Sequence, residues 1–179
     1  RRQQHRLADQ PDDSSRLAQT FIMAKIANCR SVLMRSQRDR TDPSNALKTS
    51  IDGLAAVLRR LLSQNEKIDS LRGIEGDAAR LYFSAFDEMI IAQKSSFSFT
   101  GRNRRPPTDS VNALLSFLYT LLVHDVTGAL EGVGLDPYAG FLHADRPGRP
   151  SLALDLMEEL RPILADRLAL TLINRQQVK

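Results

Sequence analysis

The chain lacks the features that define several protein classes. It contains a single cysteine, Cys29, so no internal disulfide can form, and a reducing compartment is the simpler setting. No segment reads as a signal peptide, and the longest apolar runs look too short for a membrane span. Strand-like alternation of apolar and polar residues is scarce, and proline is nearly absent from the long periodic segments. These absences predict a helical protein that needs neither disulfides nor a membrane.

Lysine is also scarce. The chain has 25 basic residues and a net charge of +4, but only five of the basic residues are lysine, so the other 20 are arginine. The planar guanidinium fork of arginine suits phosphate, and the charge therefore favours a polyanionic partner such as nucleic acid. A gene composition that favours arginine codons is the alternative explanation.

Apolar spacing predicts an all-α bundle of about five to six helices, with residues 1–179 forming one domain. The first helix is expected over about Ser14–Arg38. The second is expected after a cap at Thr41 or Asp42, with Pro43 in its first turn. The predicted apolar face of this second helix comprises Ala46, Ile51, Leu54, Leu58 and Leu61.

Two long loops divide the second half of the chain. The third helix is expected to end near Gln93, where a polar and basic loop, Ser95–Pro107, begins. Thr108 or Asp109 should cap the fourth helix, which glycines 132 and 134 end. The second loop, Ala144–Pro150, precedes a last helix that Ser151 caps and that runs to about Asn174. Its predicted apolar stripe is Leu152, Leu156, Leu160, Ile163 and Leu164.

Glu75 occupies an unexpected position on the third helix. It lies inside an apolar stripe formed by Leu71, Ala78, Tyr82, Ala85 and Met89. A carboxylate in an apolar setting is costly unless it is paired, neutralised or bound to a metal. Two unfavourable helix glycines flank it, and two broken local rules at one point suggest a functional site. A salt bridge from Glu75 to Arg72 or Arg80 is the structural alternative.

A second group of possible metal ligands lies near the last helix. Asp155, Glu158 and Glu159 share a face of that helix, and His143 precedes it in an apolar turn. Carboxylate oxygens suit Mg²⁺, and an added imidazole shifts the preference toward Mn²⁺. The alternatives are a purely structural histidine and a solvated helix face.

The remaining candidates carry weaker signals. His5 falls in a polar terminus that is expected to be mobile. His124 and Asp125 form an adjacent pair of the kind found in metal-dependent phosphohydrolases, although such sites need further histidines. The basic loop, residues 101–107, is either a phosphate grip or a solvated linker.

Several short sequence motifs, in their order and spacing, resemble those of the integrase family of CRISPR adaptation, the first of the universal CRISPR-associated proteins. The resemblance covers most of the chain from about Ser70 onward. The matching motifs are residues 71–76 with Ala78, Ala79 and Tyr82; residues 101–107; Asp109, residues 112–116 and Tyr119; Asp136-Pro137; residues 140–143; and residues 150–159 with Arg161-Pro162.

The resemblance implies the location of the active site. Family members have an N-terminal β-rich domain and a C-terminal helical catalytic domain, and this chain resembles the second domain alone. The implied metal ligands are Glu75, His143 and Glu158, for Mg²⁺ or Mn²⁺, with Asp155 as a supporting acid. Residues expected near the site or at DNA phosphates are Asn112, Tyr119, Arg72, Arg102, Arg104, Arg105 and Arg161.

The resemblance also implies a function and partners. Family dimers flank a small ferredoxin-like partner in the prokaryotic cytoplasm and carry a captured DNA fragment. The 3′-hydroxyl of the fragment attacks a phosphodiester at the edge of a CRISPR repeat, and the same site supports nuclease activity. Without the β-rich domain the chain is expected to lose the family's mode of dimerisation. The alternatives are a noncatalytic nucleic-acid-binding module and a scaffold without a site.

Overall fold

The computed structural model describes residues 1–42, 44–103 and 105–179, and these residues contain helices and no strand. The prediction of an all-α bundle is therefore confirmed. A 3₁₀ turn at Asp87–Met89 follows α4, and a π-helical turn at Pro162–Asp166 joins α6 to α7 in one continuous helical run. The helices are α1 Arg2–Ala8, α2 Pro11–Arg38, α3 Asn45–Ser63, α4 Ile68–Ser84, α5 Ser110–Gly132, α6 Ser151–Arg161 and α7 Arg167–Asn174.

Two of the predicted helix starts are wrong. The first long helix, α2, begins at Pro11, because proline suits the first turn of a helix, where its missing N–H leaves no bond unmade. The hydroxyl of Ser44 caps α3 by accepting from the backbone N–H of Ala46 at 3.1 Å, so neither Thr41 nor Asp42 is the cap. The predicted role of Pro43 lies outside the described residues.

Among the predicted caps and ends of the later helices, some are confirmed and others are wrong. Asp109 caps α5 as predicted, with its Oδ1 accepting from the N–H of Asn112 at 2.8 Å. Ser151 begins α6 but does not cap it, because its hydroxyl donates to the carbonyl of Ala144 at 3.3 Å. The helix that carries Glu75 stops at Ser84, well before Gln93.

Helix α2 is the central element of the fold and packs against α3, α4 and α6. Its buried face carries Ala18, Ile22, Ile26 and Leu33. On α3, the predicted face holds for Ile51, Leu54 and Leu61, whereas Ala46 is exposed and its neighbour Leu47 is fully buried. Burial of apolar area on several sides of one helix is the main term that holds the bundle together. Residues from α2, α4 and α6 therefore face one another across this centre.

Two features modify the sequence picture of the remaining segments. The loop between α4 and α5 is fixed to the core by the buried rings of Phe97 and Phe99. Helix α5 has 23 residues and a mean hydropathy of 1.5 over its most apolar window, so by length and composition alone it could cross a membrane. The expectation that every apolar run is too short is wrong for this helix. In the bundle, Val111 and Leu115 of α5 pack into the core.

Candidate metal centre

Three helices bring three charged side chains together at the centre of the bundle. The ammonium of Lys25 on α2 donates to Oε1 of Glu75 on α4 and to Oε2 of Glu158 on α6. The Glu75 side chain is 27% exposed, and that of Glu158 is only 4% exposed. The partner of Glu75 is thus Lys25, and the predicted alternatives Arg72 and Arg80 are wrong. The expectation of a solvated face at Glu158 is wrong as well.

Positive charge keeps the buried Glu158 ionised. Burial by itself raises the pKa of this carboxyl, but Arg161 and Lys25 outweigh it and lower the pKa from 4.5 to about 2. The guanidinium of Arg161 donates to Oε1 of Glu158, one turn along the same helix. Burial also lowers the pKa of Lys25, and the carboxylates of Glu158 and Glu75 reverse this and raise it. Glu158 and Lys25 therefore both carry their charges at neutral pH.

Asp155 organises the turn that carries His143. The carboxylate is fully buried and accepts from three successive backbone N–H groups, those of Phe141, Leu142 and His143, at 2.6, 3.0 and 3.0 Å. Its Oδ1 also lies 2.6 Å from Nδ1 of His143. This contact fixes the imidazole plane and leaves Nε2 directed toward Glu158, whose Oε1 is 4.0 Å away.

Gly140 allows this turn to approach the helix. A Cβ atom at this position would lie 2.7 Å from Cβ of Ser151 and 2.9 Å from Oδ2 of Asp155. Both contacts are too close for any side chain, and one of them is with the carboxylate that holds the turn. A glycine at position 140 is thus required for the close approach of this turn to Asp155.

The donor atoms fit a divalent cation in type. Two carboxylates and an imidazole whose other nitrogen binds a carboxylate form the ligand set expected for such an ion. In the described part of the chain, no three histidine, cysteine, aspartate or glutamate side chains are already positioned to coordinate one metal ion. Lys25 stands between Glu75 and Glu158 in this structure. The metal-ligand roles of Glu75, His143 and Glu158 therefore stay predictions.

A second buried polar cluster adjoins the first through Arg161. The guanidinium carbons of Arg161 and Arg102 each lie 5.2 Å from the ring centre of Tyr119. The hydroxyl of Tyr119 donates to Oδ1 of Asp166 at 2.6 Å. Burial is the largest influence on Asp166, and it raises the pKa from 3.8 to about 6, because the Tyr119 hydrogen bond offsets only part of it. Tyr119 thus links the basic loop to Glu158.

The predicted nucleic-acid contacts occupy different settings. Asn112 is fully buried, where its amide donates to the carbonyl of Gly101 at 2.8 Å and its Oδ1 accepts from Arg102 at 2.7 Å. It therefore holds the loop on α5. Arg72 donates through Nε and Nη2 to the carbonyl of Leu142, which ties α4 to the His143 turn. Their contacts with phosphate remain predictions.

The other two predicted phosphate contacts lie in the loop. Arg105 is exposed. Arg104 falls outside the described residues.

The weaker histidine candidates are also placed. His5 lies on α1, with Nε2 3.4 Å from Oδ2 of Asp136, so the polar N-terminal segment is helical here and contacts the turn before His143. His124 and Asp125 are both exposed on α5. No described histidine joins them, since the other two pair with Asp136 and Asp155. The histidine–aspartate phosphohydrolase alternative therefore receives no support.

Sequence reasoning missed two residues of these clusters. Lys25 lies between Ile22 and Ile26 on the buried face of α2, so it breaks the apolar pattern in the same way as Glu75. That signal was available. Asp166 follows the apolar residues Ile163, Leu164 and Ala165, but the π-helical turn changes the helix register at this point, and the sequence gives no sign of the change.

Comparison with known proteins places the chain in a family. The family profile described as "CRISPR associated protein Cas1" matches residues 1–179. The chain is 53% identical over 184 residues to the CRISPR-associated endonuclease Cas1 2 of Rhodospirillum rubrum, covering all of this chain and 53% of that protein. The chain thus spans about half the length of the relatives it matches.

Two solved structures are similar as well. A chain of a partial Cas6-RT-Cas1–Cas2 complex superimposes with a TM-score of 0.84 at 30% identity, covering 98% of this chain and 50% of that one. A casposase bound to its integration product gives a TM-score of 0.81 at 27% identity, covering 98% of this chain and 47% of that one. The all-helical fold of this chain agrees with these structural matches. This chain belongs to the Cas1 family of CRISPR-associated proteins.

Proposed function

We propose that this chain is the catalytic region of a metal-dependent DNA endonuclease and integrase that acts in CRISPR spacer acquisition. The observation that carries the proposal is the meeting of Glu75 and Glu158, from two different helices, at one buried cationic group. His143, oriented by Asp155, faces the same point. A buried and a half-buried carboxylate held together at an energetic cost favour a site over a scaffold.

The ligands for the ion would be Glu75, Glu158 and Nε2 of His143. Their chemistry fits Mg²⁺ or Mn²⁺, because two hard oxygen donors are combined with one imidazole. When bound, such an ion would polarise the phosphodiester and stabilise the leaving oxygen. Asp155 would keep the Nε2 lone pair of His143 available, because its Oδ1 would accept a hydrogen bond from a protonated Nδ1.

The DNA chemistry is an exchange of one phosphodiester for another. The 3′-hydroxyl of a captured fragment attacks the phosphorus at the edge of a repeat, a new phosphorus–oxygen bond forms, and the 3′-oxygen of the neighbouring nucleotide leaves. The number of phosphodiester bonds is unchanged, so no ATP is needed. With water as the attacking group, the same site would act as a nuclease.

Arginines are suited to hold the DNA backbone in this reaction. The Arg102 guanidinium lies in the polar loop between α4 and α5, beside the ring of Tyr119. Arg105 in the same loop is exposed. Contacts to phosphate position a duplex without reading its bases. Sequence choice would then depend on DNA shape and on partner proteins.

The similar structures support the proposed partners. One of them is a complex named for Cas1 and Cas2, and another is a casposase with its integration product. We infer that the full-length protein forms a homodimer, binds a small ferredoxin-like CRISPR-associated partner and carries double-stranded DNA with free 3′ ends. Because the relatives belong to bacteria, we infer that this activity takes place in the cytoplasm of a prokaryote.

The test uses the full-length protein that contains this chain. Glu75→Ala should abolish cleavage and integration of DNA in the presence of Mn²⁺ or Mg²⁺, while DNA affinity stays close to that of the wild type. The matched control is Asp77→Asn on the same helix, whose carboxylate is exposed and pairs with Arg80. This control should retain activity.

A noncatalytic nucleic-acid-binding module would give a different result. The wild type would then bind DNA but show no metal-dependent cleavage or joining, and Glu75→Ala would change nothing. That outcome would refute the proposed activity.

A further inference from the structure

Lys25 forms the only described contacts that join Glu75 to Glu158 in this structure. Its side chain is buried on α2, and its ammonium donates to one oxygen of each carboxylate. The two carboxylates belong to α4 and α6, so a single flexible side chain from a third helix holds the two proposed ligands together. Glu158 uses its other oxygen for Arg161.

The charge in this space is already balanced. Glu75 and Glu158 supply two negative charges, and Lys25 and Arg161 supply two positive charges. Both cations have raised pKa values, because the carboxylates reverse the effect of burial. A divalent ion that entered beside the ammonium would bring like charges into contact in a poorly solvated space, which is strongly unfavourable. One of the cations must therefore move when the ion binds.

The two cations differ in their freedom to move. Both side chains are about equally buried, but Arg161 also lies over the ring of Tyr119, 5.2 Å from the ring centre. The packed guanidinium plane is held between this ring and Glu158. Lys25 is a point charge at the end of a four-carbon stem, and each of its bonds is to a carboxylate oxygen that the ion itself would use. Lys25 is therefore the cation that gives way.

We propose that Lys25 is a tethered competitor of the divalent ion: its ammonium holds Glu75 and Glu158 together in the ion-free protein and leaves that position when the ion binds. This inference rests on the proposed function, since it requires an ion at this site. In this scheme, Lys25 lowers the affinity of the site for the ion and stabilises the site when no ion is bound. Lys25 is a positioning residue in this scheme, and it carries out no chemical step on DNA.

The experiment measures Mn²⁺ binding to the full-length protein without DNA, by titration calorimetry and by the electron paramagnetic resonance signal of free Mn²⁺. Lys25→Met keeps most of the length of the side chain and removes its charge. We expect Mn²⁺ to bind this variant at least about tenfold more tightly than the wild type. In a chelator the variant should melt at a lower temperature, because the two carboxylates then repel each other, and Mn²⁺ should raise its melting temperature more than that of the wild type.

Controls separate the competitor from a simple change in net charge. Arg80→Met removes an exposed charge from α4 and should leave the Mn²⁺ affinity unchanged. Lys25→Gln serves as the second variant, because it keeps a hydrogen-bond donor without the charge and avoids placing a wholly apolar side chain between the carboxylates. It should also bind Mn²⁺ more tightly than the wild type.

Equal or weaker Mn²⁺ affinity in both Lys25 variants would overturn the inference, because the ammonium would then not compete with the ion. Absence of Mn²⁺ binding in the wild type and in both variants would overturn it together with the proposed metal centre. If Mn²⁺ binds with the expected order of affinities but no DNA is cleaved or joined, the proposed activity fails and the role of Lys25 stands.

Discussion

Glu158 and Asp166 lie on the same helical run, and both are almost completely buried, yet their carboxyl groups respond to burial in opposite ways. The pKa of Glu158 is lowered to about 2, and that of Asp166 is raised to about 6. Burial raises both values. The difference lies in the partners, because Glu158 contacts two cations directly, whereas Asp166 receives a hydrogen bond from the neutral Tyr119.

This difference favours one of the two clusters as the proposed metal site. A carboxylate that stays charged when buried, held by groups that can be replaced, is ready to bind a metal ion. A carboxyl whose charge is disfavoured in the folded protein is a structural hydrogen-bond acceptor that changes protonation near pH 6. The Lys25–Glu158 cluster is thus the candidate catalytic centre, and the Tyr119–Asp166 cluster is its support.

Substitution of the two carboxylates by their amides should separate them most clearly. Glu158→Gln removes a proposed ligand and should lower metal-dependent DNA cleavage and integration by about a hundredfold or more. Asp166→Asn mimics the protonated form of Asp166 and should lower them far less. Activity of the full-length variants, with DNA affinity measured alongside, provides the comparison. Equal losses in the two variants would show that the clusters act as one unit.

Stability against pH should distinguish the clusters by sign. The folded pKa of Asp166 is above its ordinary value of 3.8, so its favourable contribution is complete below that value and is lost as the pH rises through about 6. The unfolding free energy of the wild type relative to Asp166→Asn should fall by roughly 2 kcal/mol between pH 4 and pH 7. Urea denaturation in a chelator measures it.

Glu158 should show the opposite dependence in the same measurement. Its folded pKa of about 2 is below the ordinary 4.5, so its contribution is complete above 4.5 and is lost as the pH falls toward 2. The wild type should therefore lose stability relative to Glu158→Gln as the pH falls from 4.5 to 3. A relative stability that changes in the same direction for both variants would contradict the assignment of the two environments.

A substitution at Asp155 tests whether ion binding at the proposed metal centre depends on the orientation of His143. Asp155→Asn leaves one acceptor oxygen where the carboxylate serves three backbone N–H groups and the imidazole. The Mn²⁺ affinity should fall by about 10- to 100-fold, as expected for a residue that orients a metal ligand. Calorimetry provides the measurement. An unchanged affinity would mean that His143 does not bind the ion.

The sequence predicts the helices and part of this site. Each long helix must bury one face, and apolar spacing records that need directly. Glu75 was recognised because a carboxylate interrupts such a face. Its partner could not be read from the sequence, because the contact with Lys25 depends on how α2 packs against α4. Helix starts were less predictable, since neighbouring polar residues compete to cap them, and Ser44 caps α3 in place of Asp42.

The burial of Glu158 and Asp166 cannot be predicted from the neighbouring sequence, for two different reasons. Glu158 resembles a solvated position until α2 and Arg161 supply its counter-charges. Asp166 is displaced by the π-helical turn that begins at Pro162, whose missing N–H interrupts the regular bonding pattern. One additional residue in a turn rotates the following side chains by about 100° relative to the preceding helix. A constant 3.6-residue period therefore assigns the wrong face beyond Pro162.

The smallest expected effect concerns the hydroxyl of Tyr119. Tyr119→Phe keeps the ring between Arg102 and Arg161 and removes only the hydrogen bond to Asp166. The loss should cost about 1 kcal/mol of unfolding free energy, more at pH 7.5 than at pH 4.5, because a phenol donates more strongly to an ionised carboxylate. Urea denaturation at the two pH values measures it, and Tyr138→Phe on the exposed turn is the control. Since the Tyr119 hydrogen bond lowers the pKa of Asp166, the variant should titrate Asp166 at a still higher pH. A cost that is the same at both pH values would indicate that Asp166 does not change its protonation between them, and the contrast with Glu158 would then rest on geometry alone.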